Sequence, residues 1–118
     1  MNKLFHIPTR LKAFGYALNG LRALWREPHI KLHCIAGIVA IVAGCIKTLD
    51  HLHWIAIFIA ISLVWIAEAL NTAIEKLCDF ACNHQLSPAI KKIKDISAAA
   101  VLLAAILSVS IAIFTFIF

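Results

Sequence analysis

Three of the six acidic residues in this 118-residue chain fall on one face of a single predicted helix. Glu68, Asn71, Glu75 and Asp79 lie within an arc of about 80° at helical pitch. Carboxylates in such a row suit two tasks: binding a hard cation such as Mg²⁺ through oxygen, and taking a proton from a hydroxyl group. Because a helix rises about 1.5 Å per residue, Glu68 and Glu75 are roughly 10 Å apart along the axis and are not expected to serve the same atom.

A structural role is the alternative for the same carboxylates. Glu68 and Glu75 would then pair with basic residues of the N-terminal segment or with Lys94. For Asp79, which lies next to a predicted loop, this pairing is the favoured interpretation. For Glu68 and Glu75 we favour a functional role, because four stacked polar groups exceed what packing requires.

A second polar cluster is the sequence Lys91-Lys92-Ile-Lys94-Asp95. A lysine in this cluster can neutralise a phosphate group, and Asp95 can orient that lysine or a metal ion. For Lys91 and Lys92, a role in setting membrane topology is the better interpretation. Glu27 is a further acidic residue, and we place it on the same side of the membrane as this cluster.

Other patterns in the chain give weaker evidence of function. The segment 15–22 has the glycine spacing of a P-loop but lacks the Lys-Ser/Thr pair and a preceding strand. Cys78, Cys82 and His84 have no fourth ligand at zinc-finger spacing. His33 and His53 are interpreted as membrane-interface residues. The basic residues follow one membrane face, so we expect no nucleic-acid partner.

The composition assigns these residues to a membrane protein. The chain is 63% hydrophobic and 14% charged, with a mean hydropathy of +0.93. A short chain has too little interior to hide so many apolar side chains from water. Its uncharged apolar runs cover residues 32–46, 52–67 and 96–118.

We therefore predict an all-α integral membrane fold, with one amphipathic surface helix followed by three transmembrane helices. The amphipathic helix is expected at 1–28, and the spans at 31–49, 51–80 and 89–118. Glu68 then lies at or just inside the membrane boundary, where an ionised carboxylate costs roughly 2–3 kcal/mol or more. A carboxylate in that position is by default a functional hypothesis.

The basic residues predict the orientation of these spans. Ten of the eleven lie on the side that holds the N-terminus and the connection between the second and third spans. The ten are Lys3, Arg10, Lys12, Arg22, Arg26, Lys31, Lys76, Lys91, Lys92 and Lys94. The positive-inside rule makes that side cytoplasmic. The segment 1–28 should lie along the cytoplasmic interface, with packing beneath the bundle as the alternative.

Two segments resemble the signature of a known family. Glu68-Ala-Leu-Asn71-Thr-Ala-Ile-Glu75, followed by Lys94-Asp95-Ile-Ser-Ala-Ala-Ala-Val101, resembles the small bacterial diacylglycerol kinase / undecaprenol kinase family. The segment 15–27 is similar to the family's amphipathic N-terminal helix. The resemblance covers nearly the whole chain and implies a single lipid kinase domain over 1–118. The segment 26–33 looks closer to the undecaprenol kinase branch.

The family resemblance implies phosphorylation of a membrane lipid alcohol, diacylglycerol or undecaprenol, with ATP as the phosphate donor and Mg²⁺ as the cofactor. It implies Glu68 as the catalytic base on the lipid hydroxyl, with Asn71 shaping the site. Substrate contacts would come from Glu68, Arg22 and Ser97. The implied assembly is a homotrimer in the bacterial inner membrane, with active sites shared between neighbouring subunits near the cytoplasmic interface.

The same resemblance implies a set of nucleotide-binding residues. Glu27 and Glu75 would hold the Mg²⁺ that ATP carries. The remaining nucleotide contacts would come from Tyr16, Lys94 and Asp95. Arg10 or Lys12 would supply a phosphate or headgroup contact, and the loop at 83–84 departs from the family's pattern near the nucleotide.

Two other classes of protein would also carry carboxylates near a span. A small transporter would need them deeper, toward the membrane midplane, and would leave Lys94 and Asp95 unexplained. A regulatory subunit of a larger membrane complex would tolerate neutralisation of Glu75. Transfer of labelled phosphate from ATP to lipid distinguishes the kinase from both.

Overall fold

Four α-helices make up the chain in the computed structural model, which describes residues 7–118. In chain order they are α1 (Ile7–Leu24), α2 (Pro28–Lys47), α3 (His51–Ala81) and α4 (Pro88–Phe116). No strand occurs among the described residues, which confirms the predicted all-α class. The helices α2, α3 and α4 are each long and apolar enough to cross a membrane.

The ends of the helices differ by a few residues from the expected spans, for local reasons. The helix α2 begins at Pro28 rather than 31, because proline is pre-organised for the first helical position. It ends at Lys47 because Thr48 adopts a left-handed conformation, with φ at 52°. The helix α1 ends at Leu24, and the first six residues of the expected 1–28 helix, Lys3 among them, lie outside the described residues.

Side-chain caps begin both of the later helices. Asp50 Oδ1 accepts a hydrogen bond of 3.0 Å from the His53 backbone N–H at the start of α3. This bond and a second one with the His53 ring lower the pKa of Asp50 from its usual value. Ser87 Oγ accepts from the Ile90 N–H at 3.3 Å to begin α4. Ion pairs of Glu27 with Lys76 and of Lys94 with Asp79 join the start of α2, the end of α3 and the start of α4 at one end of the bundle, which we call the charged end.

The pair α3–α4 forms the main packing interface, and α2 packs chiefly on α3. Ser108 Oγ on α4 donates to the Ala60 carbonyl on α3 at 3.1 Å. At the other end of the bundle, Lys47 Nζ donates to the Phe116 carbonyl and joins the ends of α2 and α4. The apolar residues that are buried are Leu24, Ile30, Ile57, Ala60, Val64, Cys78 and Ala104. This core is small, and most large apolar side chains face outward.

The helix α1 packs little against the rest of the chain. Its apolar face stays exposed, with Leu11 and Phe14 each 69% accessible and Trp25, just beyond its end, 52% accessible. The alternative in which α1 packs beneath its own bundle is therefore wrong for the single subunit. An amphipathic helix with an uncovered apolar face is suited to lie at a membrane interface.

Candidate functional site

Glu68 is the one acidic residue that is buried in the described part of the chain. Its side chain is 9% exposed, and its Oε1 lies 2.8 Å from Nε2 of His33. The partner comes from α2, thirty-five residues earlier in sequence. The alternative that paired Glu68 with the N-terminal segment or with Lys94 is therefore wrong about the partner.

Asn71 and Glu75 continue the same face of α3 toward the charged end. Asn71 Nδ2 donates to Glu75 Oε1 at 3.2 Å. Asn71 Oδ1 is buried and has no hydrogen-bond partner in the described chain. A buried acceptor without a donor costs about 1–3 kcal/mol, so this oxygen is a natural contact for a hydroxyl group of a ligand.

Several side chains that the family resemblance assigns to nucleotide binding form ion pairs within the chain. Glu27 pairs with Lys76 at 2.8 Å, and Lys94 pairs with Asp79 at 2.5 Å. The pairing of Asp79 agrees with the structural interpretation of that residue. Both pairs are half-buried or more exposed, where ion pairs stabilise a fold little, so these groups can exchange their partners for phosphate or metal.

Asp95 also forms an ion pair, at the surface of α4. Its carboxylate accepts from Lys91 Nζ at 2.6 Å, one helical turn earlier, and both side chains are 63% exposed. Lys91 was interpreted as a topology determinant, and it also partners Asp95. The Lys91–Asp95 pair leaves the Asp95 side chain at the surface.

Two carboxylates at the charged end have the chemistry of a magnesium site. Glu75 is exposed, and Glu27 and Glu75 both act electrostatically on Lys76. No group of three or more metal-ligating side chains occurs among the described residues. Magnesium is commonly held by one or two carboxylates together with substrate phosphates, so Glu27 and Glu75 fit an ion that arrives with a nucleotide.

A groove between α3 and α4 is lined by Asn71, the residue that hydrogen-bonds to Glu75. It has a volume of about 660 Å³, and Asn71 and Ser97 are its polar lining residues. Ser97 is 6% exposed, and the remaining lining side chains are aliphatic, such as Leu70 and Ile93. An apolar groove with two polar lining residues can accept a hydrocarbon chain with its hydroxyl group near Asn71.

Tyr16 and Arg22 are not brought to this site within one chain. Both lie on α1, and Tyr16 is 72% exposed. No hydrogen bond or ion pair connects either residue to α3 or α4 in the described structure. If they contact the substrate or the nucleotide, a movement of α1 or a second subunit must bring them there.

His33 is the site residue that sequence reasoning missed. The sequence predicts a membrane-interface residue at this position, because no spacing rule relates positions 33 and 68. The contact depends on how α2 packs against α3, which a periodicity pattern does not specify. A histidine inside an apolar run is the signal that could have drawn attention to it.

Known proteins that resemble this chain are lipid kinases. Residues 15–116 match the family described as prokaryotic diacylglycerol kinase. A diacylglycerol kinase of Escherichia coli K12 is 36% identical over 102 residues, covering 84% of this chain and 81% of that protein. An undecaprenol kinase of Bacillus subtilis is 31% identical over 106 residues, covering 89% of this chain and 85% of that protein.

The fold and these relatives define the class of the protein, which is a multi-pass bacterial membrane lipid kinase. The chain belongs to the prokaryotic diacylglycerol kinase family. Membership in a kinase family favours the enzyme over the transporter and the regulatory subunit that the sequence left open.

Proposed function

We propose that the chain transfers the γ-phosphoryl group of ATP to the hydroxyl group of a membrane lipid, either diacylglycerol or undecaprenol. The observation that carries this proposal is the buried Glu68 carboxylate, which lies one helical turn along α3 from Asn71, a lining residue of an α3–α4 groove suited to a hydrocarbon chain. A buried carboxylate in a membrane helix is costly and is kept for function. The relatives named above support both substrates.

Glu68 is proposed as the general base. Its Oε2 takes the proton from the lipid hydroxyl as the hydroxyl oxygen forms a bond to the γ-phosphorus, and ADP leaves with the electron pair of the broken P–O bond. The products are the lipid phosphate, ADP and protonated Glu68, which then releases its proton. Asn71 and Ser97 line the groove where the hydroxyl would lie, and Arg22 is proposed to contact the lipid headgroup.

The charged end of the bundle is proposed to bind the nucleotide. Phosphoryl transfer depends mainly on positioning and on neutralisation of charge, so a few carboxylates and a lysine suffice. Glu27 and Glu75 would hold Mg²⁺, which neutralises phosphate charge when it is bound with ATP. Lys94, Asp95 and Tyr16 are proposed as the further nucleotide contacts.

The charged end is proposed to face the cytoplasm of a bacterium, with the N-terminus on the same side. Ten of the eleven basic residues support this orientation under the positive-inside rule. ATP and Mg²⁺ are then available on the side where Glu27 and Glu75 lie. The active site would lie at the interface between the inner membrane and the cytoplasm.

A homotrimer with shared sites is proposed as the assembly. The small core and the outward-facing apolar side chains leave surface for subunit contacts as well as for lipid. Tyr16 and Arg22 form no hydrogen bond or ion pair with α3 or α4 in the described chain, so a neighbouring subunit is the proposed source of these residues.

The decisive experiment measures transfer of labelled phosphate from ATP to lipid. Purified protein in lipid is given Mg²⁺ and labelled ATP with diacylglycerol or undecaprenol, and the organic phase is counted. We expect label in one or both lipids, and Glu68→Gln should lower kcat by roughly 10²–10⁴-fold because a general base is lost. The matched control is Asp50→Asn, which removes a carboxylate at the opposite end of α3 and keeps a good helix cap.

Each outcome of this experiment decides one part of the proposal. Absence of label in both lipids would contradict the proposed reaction. Full activity of Glu68→Gln would contradict the role of Glu68 as base. The lipid that gains the higher kcat/KM is the better substrate of the two.

A further inference from the structure

His33 and Glu68 form the one ion-pair or hydrogen-bond contact between α2 and α3 side chains in the described structure. His33 has 22% of its side chain exposed and Glu68 has 9%, so the contact is largely shielded from solvent. No other described residue hydrogen-bonds to the Glu68 carboxylate. His33 is therefore the one hydrogen-bond partner of Oε1 among the described residues.

The chemistry of the two groups defines the direction of this hydrogen bond. An ionised carboxylate only accepts hydrogen bonds, so a base at Glu68 requires the His33 tautomer in which Nε2 carries the hydrogen and donates it to Oε1. The second oxygen, Oε2, has no partner among the described residues. One oxygen is thus held by the protein, and the other remains for a hydroxyl group.

The charged residues near this pair are engaged elsewhere. Lys94 on α4 pairs with Asp79, and Lys76 on α3 pairs with Glu27. Both pairs lie closer to the charged end than Glu68 does. No lysine or arginine in the described structure forms an ion pair with Glu68, which leaves the imidazole as its sole basic partner.

We propose that His33 is a positioning residue for phosphoryl transfer. Its Nε2–H holds Oε1 of Glu68, and this fixes the carboxylate so that Oε2 faces the lipid hydroxyl. His33 keeps its own proton throughout, while the hydroxyl proton passes to Oε2. The proposal rests on the proposed role of Glu68 as base. A displacement of about 1 Å in a reacting group can lower a rate by roughly 10²-fold, so loss of this bond should reduce kcat.

Three substitutions at one position separate positioning from packing. In His33→Gln, the side-chain amide N–H can reach the place of Nε2. In His33→Asn, the shorter amide matches Nδ1 and falls short of Glu68. In His33→Leu, the volume is largely kept and the donor is lost. We expect kcat to fall by about 10–100-fold in His33→Leu and in His33→Asn, and to stay within about fivefold of the original in His33→Gln.

The split between kcat and KM shows whether His33 acts on the chemical step. KM for ATP and for lipid should change by less than about twofold in all three variants, because His33 holds the base and neither substrate. His53→Leu is the matched control, since His53 contacts Asp50 at the other end of α3. Its kcat should equal that of the original protein.

The Asn and Gln variants keep the test decisive even if His33→Leu fails to fold, because both retain a polar amide. Equal kcat in His33→Asn and His33→Gln would overturn the proposal, and so would full kcat in His33→Leu. A change in KM alone would also overturn it. An inactive Glu68→Gln with a fully active His33→Leu would refute positioning by His33 and leave the proposed function intact.

Discussion

Glu68 and Glu75 lie two helical turns apart, and the structure gives them different surroundings. Glu68 is buried with one histidine partner, whereas Glu75 is exposed and bonded to Asn71. A base that acts on a lipid hydroxyl needs a shielded carboxylate, and a metal ligand needs one that phosphate and water can approach. The two residues thus suit the separate tasks that their spacing along the helix predicted.

Replacement of Glu75 should therefore affect the metal rather than the base. We expect Glu75→Gln to raise the Mg²⁺ concentration for half-maximal activity by about tenfold or more, since a carboxylate ligand is replaced by a neutral oxygen. The measurement is a Mg²⁺ titration of lipid phosphorylation at constant ATP. Asp50→Asn should leave the titration unchanged, and an unshifted midpoint in Glu75→Gln would remove Glu75 from the metal site.

At the scale of the elements, close contact at the α2–α3 turn decides how those helices meet. A Cβ added at Gly44 would lie 2.9 Å from Trp54 Cη2 and 3.1 Å from Leu49 Cδ1. The Trp54 ring stacks on Phe58, with centroids 5.8 Å apart, and cannot easily move away. Gly44 therefore permits the approach of α2 to α3 that also brings His33 to Glu68.

Two alanine substitutions on α2 should have opposite effects on stability. Gly44→Ala should lower the free energy of unfolding by about 1–2 kcal/mol, because overpacking outweighs the gain in helix propensity. At Gly37 the added Cβ would meet Ile61 at 3.7 Å, which is ordinary contact. Gly37→Ala should raise stability by about 0.5–1 kcal/mol. Denaturant unfolding in detergent gives the free energy of unfolding of each variant. Equal values for the two variants would refute the steric role of Gly44.

At the scale of the whole molecule, one chain does not bring α1 to the site. The helix α1 is exposed along its apolar face, and α2 to α4 bury only a small core. A membrane can cover much of this surface, but it cannot bring Tyr16 and Arg22 to Glu68. The proposed trimer would do so by placing α1 of one subunit beside the α3–α4 groove of the next.

Mixing of subunits tests this arrangement directly. A Glu68→Gln chain and a chain carrying Tyr16→Ala with Arg22→Ala should each be weakly active or inactive alone. A shared site is intact when one subunit supplies Glu68 and its neighbour supplies Tyr16 and Arg22. In a one-to-one mixture that assembles at random into rings, this holds for about a quarter of the sites. The two chains are unfolded and reassembled together before activity is measured. No recovery would show that each chain builds its own site, and a mixture of Glu68→Gln with Asp50→Asn controls for dilution.

The sequence by itself determined the class of fold and predicted most of the residues of the candidate site. Length and apolar content required membrane helices, and helical periodicity placed Glu68, Asn71 and Glu75 on one face, because both depend on local chemistry along the chain. Only the tertiary structure decided that His33 meets Glu68 and that Lys94 meets Asp79. Such contacts join residues on different helices, and they depend on the rotation and separation of those helices, which side-chain packing determines.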